Sequence, residues 1–238
     1  MNERIIAIHQ PNFLPWPGYF IKMILADHFV FLDHVQFSKG SVTNRTKVAS
    51  NLENEYLTIP ISKRSNKSVI SNLDIGDKEW KDNHLRKIQS WIGSFPFYDD
   101  LKFLKELYGE CQQKRLADIN ISFINSLMMH LEIQTETSRS SELRIISKGT
   151  SMLSEVVAAQ KGSQYISGSG LNNYFESEHW HIEKTPVIIP FEDYISNDEI
   201  LQPVSIIWNI AQFGINVTRE RLRAVADRIA GDFRLYRD

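Results

Sequence analysis

The chain reads as an α/β protein built on a parallel sheet with a three-layer core, and three observations predict it. Short apolar runs rich in β-branched or aromatic residues, IIAIH, HFVFL, QYIS and VIIP, recur along the sequence and have the length and composition of buried strands. Helical patterns lie between them, so strand–helix–strand units follow one another as parallel pairing requires. A long helical block interrupts the series after the second strand and reads as an inserted lobe.

Ile5–His9 is the first expected strand, ended by Pro11. Gly18–Ala26 is an expected helix with Tyr19, Met23 and Ala26 near one face. His28–Leu32 is the second strand. Lys47–Ile61 holds two short runs, VAS and EYLTIPI, that suggest a hairpin or an edge strand. From Trp80 to about Leu131 the apolar residues recur at three and four, which predicts two or three helices. The expected organisation is a single α/β domain over residues 1–238 with a helical lobe at 78–135. Leu143–Ser147 (LRIIS) is the next expected strand. Thr150–Lys161 is an expected helix, with Thr150 or Ser151 as N-cap and Gly162 past its end. Gln164–Ser167 and Val187–Pro190 are further strands, and Ser205–Phe213 and Thr218–Ile229 are closing helices.

The 238 residues are 42% apolar and carry a net charge of −2, enough for a sizeable core without disulfides. No basic excess points to a nucleic acid duplex or a membrane surface. Cys111 is the single cysteine, so no disulfide forms within the chain and no cysteine-rich zinc site is built. With no signal-like h-region and no stretch of about 20 apolar residues, the expectation is a soluble, cytoplasmic protein without a membrane span.

In open parallel sheets ligands lie beyond the carboxyl ends of the strands. Three polar segments fall there: residues 9–19, 33–47 and 167–174. His9 can take and return a proton near neutrality; the alternative is a histidine that ties a loop together. Gln10 and Asn12 offer both donors and acceptors, and Pro11, Pro15 and Pro17 stiffen the loop that carries them. Asp33, Gln36, Asn44, Arg45 and Lys47 form the second set. Arg45 and Lys47 can grip a phosphate, and Asp33 can bind a ribose hydroxyl or cap a turn; a solvated surface turn is the alternative. Ser167, Gly168, Ser169 and Gly170 form a loop whose backbone N–H groups can approach an anion, although SGSG is neither a P-loop nor a GxGxxG fingerprint. His179 and His181 flank Trp180 without a third ligand at a metal-site spacing, so no metal is expected.

The segment AIHQPNFLPWPGYFIKMILADHFVFLDHVQFSKGSVTNRTKV resembles the opening of the WbqC-like family, which carries an HQPNYxPWxGYF-type motif, a D-x-F-V-x-L-D-x-V-Q run and an N-R pair. YISGSGLNNYF and VSIIWNIAQFG resemble later family segments. Two departures stand out: Trp208-Asn209 follows the SII element where an acidic residue is expected, and TPVIIPFEDY lacks an H-P-x-Y-x-Q pattern. His9, Gln10, Pro11, Asn12, Gly18, Tyr19, Asp33, Gln36, Asn44 and Arg45 match motif positions.

The resemblance implies surface-polysaccharide (O-antigen) biosynthesis and N-acylation, with a glycyl group as one candidate, of the amine of a nucleotide-linked amino sugar. A dTDP- or UDP-sugar is the implied partner, with an acyl carrier as a second candidate. The activated acyl donor is open between a thioester, an aminoacyl ester and ATP activation, and no built-in cofactor is expected. On this reading His9 is the base, Gln10, Asn12 or the backbone N–H groups near Gly168–Gly170 steady the oxyanion, and Trp16 and Tyr19 stack on base or sugar. A fainter likeness links the strand, proline-rich loop and Gly-aromatic helix start to the HxGH nucleotidylyltransferase group, and implies a nucleotide-binding fold. Here Trp16 and Tyr19 stand where that group has its histidine pair. The alternatives are an adenylate-forming ligase or nucleotidylyltransferase on the same cleft, and a non-catalytic sugar-nucleotide-binding protein.

Overall fold

The computed structural model describes residues 4–49, 55–62, 68–76 and 79–235. Its strands are β1 (Ile5–His9), β2 (His28–Phe31), β3 (Arg45–Thr46), β4 (Leu57–Thr58), β5 (Glu136–Arg139), β6 (Gln164–Gly168) and β7 (Val187–Ile189). Five of them form one sheet in the order β5-β2-β1-β6-β7, and every pair in it is parallel. β3 and β4 form a separate antiparallel pair. The second expected run, EYLTIPI, supplies β4, but its partner is Arg45–Thr46 rather than VAS, of which Val48 and Ala49 are irregular; residues 50–54 lie outside the described residues.

Side chains alternate across β1, as the pleat dictates. Ile5 and Ala7 face one core and Ile6 and Ile8 the other, and all four are buried. The helices are α1 (Pro17–Leu25), α2 (Trp80–Ile92), α3 (Lys102–Glu110), α4 (Leu116–His130), α5 (Gly149–Ala159), α6 (Phe191–Ser196), α7 (Ile206–Phe213) and α8 (Ile215–Phe233). Residues of α1, α4, α7 and α8 share the larger core with Phe29, Phe31 and Ile166. On the opposite face Leu153, Val156 and Val157 of α5 cover Ile6, Ile8, Val30 and Tyr165. Each such apolar side chain contributes about 1.5–3 kcal/mol by leaving water. The result is an α/β fold with helices on both faces of a parallel sheet. α2, α3 and α4 all lie in the connection between β2 and β5, from Trp80 onward; residue 78 is outside the described residues.

One expected strand moves. LRIIS (143–147) is irregular, and β5 is formed instead by ETSR, which is polar. β5 sits at the sheet edge, where a strand need not be apolar on both faces, while Ile146 is 90% exposed. The expected N-cap also moves. Lys148 precedes α5 and no side chain caps it; Thr150 lies buried in the first turn and accepts the Glu176 N–H at 3.0 Å.

α1 starts where β1 and its loop deliver it. Pro17 occupies the first turn, where its fixed φ suits a helix and its missing N–H costs nothing. A Cβ on Gly18 would lie 2.4 Å from the Trp16 ring, so only glycine lets the indole lie over the helix start. Leu14 holds a left-handed φ of 41°, strain of about 1–3 kcal/mol. Its carbonyl is clamped by Thr46 Oγ1 (3.1 Å) and Ser205 Oγ (2.8 Å).

Candidate functional site

The chain leaves β1 toward β2 and β5 on one side and returns through β6 and β7 on the other. β1 and β6 therefore meet at a topological switch point, where ligands of open α/β sheets bind. A cavity of about 320 Å³ opens there, and its lining includes His9, Gln10, Lys22, Ser167, Gly168 and Gly170. This volume lies at the lower end of small-molecule sites.

His9, the last residue of β1, is half-buried. Its Nδ1 lies 3.1 Å from the Gln10 carbonyl, which can only accept, so Nδ1 carries the proton and Nε2 keeps a lone pair. The Tyr19 hydroxyl donates to the same carbonyl at 3.1 Å, and its ring packs edge-on against the imidazole at 4.9 Å. Burial, and then the charge of Lys22, push the His9 pKa down to about 3, against the pull of the Gln10 carbonyl. His9 is thus a neutral imidazole at physiological pH.

Lys22 is the residue that the sequence reading missed. It is 4% exposed. Helical side chains tilt toward the N-terminus, which on α1 is the end nearest the strand tips. Burial lowers its pKa to about 8, while Glu192 opposes the shift. Its Nζ also lies 5.7 Å from the Phe191 ring centroid. Roughly a tenth of the amine is neutral at pH 7. Opposite it, the Tyr165 hydroxyl donates to Ser167 Oγ at 3.2 Å, which leaves the serine proton free for a ligand.

The remaining predicted residues divide by place. Gln10 Oε1 accepts from Thr43 Oγ1 at 2.9 Å, which ties the first loop to the second. Asn12 is buried and does not line the cavity, and its Oδ1 has no hydrogen-bond partner among the described residues. Tyr19 is 1% exposed and closed in by His9, Phe20 and Phe29, so its ring orients His9 and offers no face to a ligand. Trp16 is half-buried against the core. Ser169 is half-buried just beyond the cavity lining, where a 3₁₀ turn starts.

Asp33, two residues past the end of β2, is fully buried and bonded to Arg139 Nε (2.7 Å), Ser140 Oγ (3.2 Å), Ser141 N (2.8 Å) and Ser141 Oγ (2.8 Å). Gln36 is exposed and bridges to Val69. Asn44 is buried and donates to the Ile59 carbonyl. Arg45 stacks over Tyr56 at 4.6 Å, and Lys47, two residues further on, is half-buried. None of these five lines the switch-point cavity.

Asn120 of α4 also went unread in the sequence. It is fully buried, and its Nδ2 donates to the Pro11 carbonyl (2.7 Å) and the Thr43 carbonyl (2.6 Å). One amide of the lobe thereby fixes both rim loops. Among the described residues no three His, Cys, Asp or Glu side chains are grouped to hold a metal; His179 pairs with Glu176 at 2.7 Å. No helix among them is long and apolar enough to cross a membrane.

Fold and site together define an α/β protein with a small-molecule crevice at the switch point of a parallel sheet. A family model described as the WbqC-like protein family matches residues 10–199, and the chain belongs to that family. An uncharacterized protein of Mycobacterium tuberculosis, Rv1507c, is 24% identical over 173 residues, which cover 72% of this chain and 75% of that protein. No solved structure matches the chain.

Proposed function

We propose that the protein is an enzyme of surface-polysaccharide biosynthesis, acting in the cytoplasm, that forms an amide on the amine of a nucleotide-linked amino sugar. The observation that carries this reading is the pairing, in one switch-point cavity, of a neutral imidazole lone pair on His9 with a buried lysine of pKa about 8.

Amide formation needs an amine freed of its proton, a path for that proton, and donors for a tetrahedral oxyanion. His9 Nε2 accepts a hydrogen bond from the sugar amine and aims its lone pair at the acyl carbon. A new C–N bond forms, the carbonyl π electrons move to oxygen, and the ammonium proton passes to neutral Lys22. Ser167 Oγ and backbone N–H groups near Gly168 and Gly170 support the oxyanion. When the intermediate collapses, the bond to the leaving group breaks and Lys22 returns its proton to that group. The general-base role moves from His9 to Lys22, because a group of pKa about 3 holds a proton poorly at neutrality. Arg45 and Lys47 remain the candidates to meet the diphosphate where it extends along the rim.

The test is turnover of dTDP- and UDP-amino sugars with thioester, aminoacyl-ester and ATP-activated donors. N-acylated product, reduced in both His9→Ala and Lys22→Met, is expected. Pyrophosphate release from ATP and glycine without N-acylation would move the protein to the adenylate-forming class. Calorimetric binding of the sugar nucleotide with no turnover of any donor would make it a binding protein.

A further inference from the structure

A second crevice opens on the same rim, beyond the ends of β2 and β5. Its volume is about 460 Å³, and it is lined by Ser71, Asn72, Arg115, Asp118, Arg139 and Ser141. By strand spacing it lies about 10 Å along the rim from the switch-point cavity, because β2 and β1 separate the two crevices in the strand order.

Its walls are built rather than loose. Ser71 N donates to the Asp33 carbonyl at 2.7 Å, Leu116 N to the Leu73 carbonyl at 2.9 Å, and Ile75 N to the Lys114 carbonyl at 2.9 Å. These bonds hold the 71–75 segment between the tip of β2 and the start of α4.

The charges in this crevice are unevenly shared. Arg139 serves two carboxylates: its Nε bonds Asp33 Oδ2 at 2.7 Å and its Nη1 bonds Asp118 Oδ1 at 2.6 Å. Burial works against the Arg139 charge, but the bonds to Asp118 and Asp33 outweigh it and raise the pKa. Arg139 is therefore a fixed cation with its charge spent. Arg115 is different. Its Nη1 holds only neutral oxygens, the Ser71 carbonyl (3.2 Å) and Asn72 Oδ1 (2.6 Å), and Nε and Nη2 bond nothing among the described residues. One edge of a guanidinium, the geometry that takes a planar carboxylate, is left to the crevice. Asp118 is the mirror case. Its Oδ1 is taken by Arg139, while Oδ2 bonds nothing among the described residues, and its side chain is 35% exposed.

We infer that the crevice between β2 and β5 binds a small zwitterion, a molecule carrying one carboxylate and one ammonium, with the carboxylate on Arg115 and the ammonium on Asp118 Oδ2. The charges decide between ligand classes. Arg115, Arg139, Asp33 and Asp118 sum to zero, so a net-neutral ligand with opposite poles leaves the crevice balanced. A phosphate dianion would face the Asp118 carboxylate, and a simple cation would face Arg115. The inference concerns binding alone and does not rest on the amide-forming reading, since either can hold without the other.

The experiment is a calorimetric titration of the whole protein with glycine, β-alanine and γ-aminobutyrate, and with acetate, methylammonium and inorganic phosphate as single-charge probes. At least one amino carboxylate is expected to bind saturably, at least about tenfold tighter than acetate or methylammonium. The spacing that binds best reports the gap between the two heads. Arg115→Gln should weaken that binding at least about tenfold. Arg115 is exposed, so this variant should melt with the wild type, and a melting curve checks that it does. Asp118→Asn should weaken the zwitterion and spare acetate, whereas His9→Ala should leave binding unchanged. Acetate or phosphate binding as tightly as the zwitterion would overturn the inference, as would binding indifferent to Arg115→Gln or the absence of saturable binding by every amino carboxylate. Loss of sugar N-acylation with zwitterion binding intact would count against the proposed reaction and leave this site standing.

Discussion

The two crevices on the strand rim treat charge in opposite ways. Where β1 meets β6, His9 and Lys22 have no buried counter-ion among the described residues, the exposed Glu192 only opposes the Lys22 shift, and desolvation drives both toward neutrality, to pKa values of about 3 and about 8. Where β2 meets β5, Arg139 lies between Asp33 and Asp118, and the charges are locked by direct hydrogen bonds. One sheet edge thus supplies a place where a proton can move and a place where charge stays put. Burial alone does not decide which arises; the presence of an opposite charge within hydrogen-bond reach does.

The largest expected effect comes from removing the mobile proton. Lys22→Met should cut N-acylation at least about 100-fold while the fold gains stability at pH 7, because a buried ammonium is replaced by a thioether. The sign follows from the lowered pKa. Between about 8 and the unfolded value near 10.5 the unfolded chain binds more protons than the folded one, so wild-type stability rises with pH in that window. The gain of the variant is therefore full below pH 8 and fades between 8 and 10.5, which melting curves at pH 7 and 10 can compare. Wild-type kcat/KM should rise with pH toward a plateau above about 8.

Next is the locked side. Asp33→Asn leaves Arg139 with one carboxylate and weakens four hydrogen bonds at a fully buried position, a loss of roughly 3 kcal/mol in urea unfolding. An Asp33→Asn protein as stable as wild type would show that the second crevice is not held by charge. Gly18→Ala should cost about 1–3 kcal/mol, since the Cβ meets the Trp16 ring at 2.4 Å, and should also disturb His9 through the loop. Smallest in stability is Asn120→Ala, about 1–2 kcal/mol. It frees the Pro11 and Thr43 carbonyls, so KM for the sugar nucleotide should rise more than kcat falls.

Much of this was legible in the sequence because the central strands are apolar on both faces. IIAIH, HFVF and QYIS declare themselves as buried parallel strands, and their positions bring residues 9–10, 167–168 and 170 to one crevice. β5 was not legible. As an edge strand, ETSR needs little hydrophobicity, and the more apolar LRIIS nearby drew the assignment. Lys22 hid for a related reason: a lysine in the last turn of a helix complements the helix dipole. The signal that could have found it is one charge in GYFIKMILA, four residues after Gly18. Asp33 stands out in the sequence only as a ribose-binding or turn-capping candidate and Asn120 not at all, because their partners Arg139, Pro11 and Thr43 lie far away in sequence. Only the fold joins them.

The most direct test of the contrast is a ¹³C NMR titration of the lysine side chains, with Lys22 assigned by its absence in Lys22→Met. Lys22 is expected to titrate near pH 8, and its resonance to move when a dTDP-amino sugar is added. A Lys22 that titrates above pH 10, and is indifferent to the sugar nucleotide, would contradict that contrast.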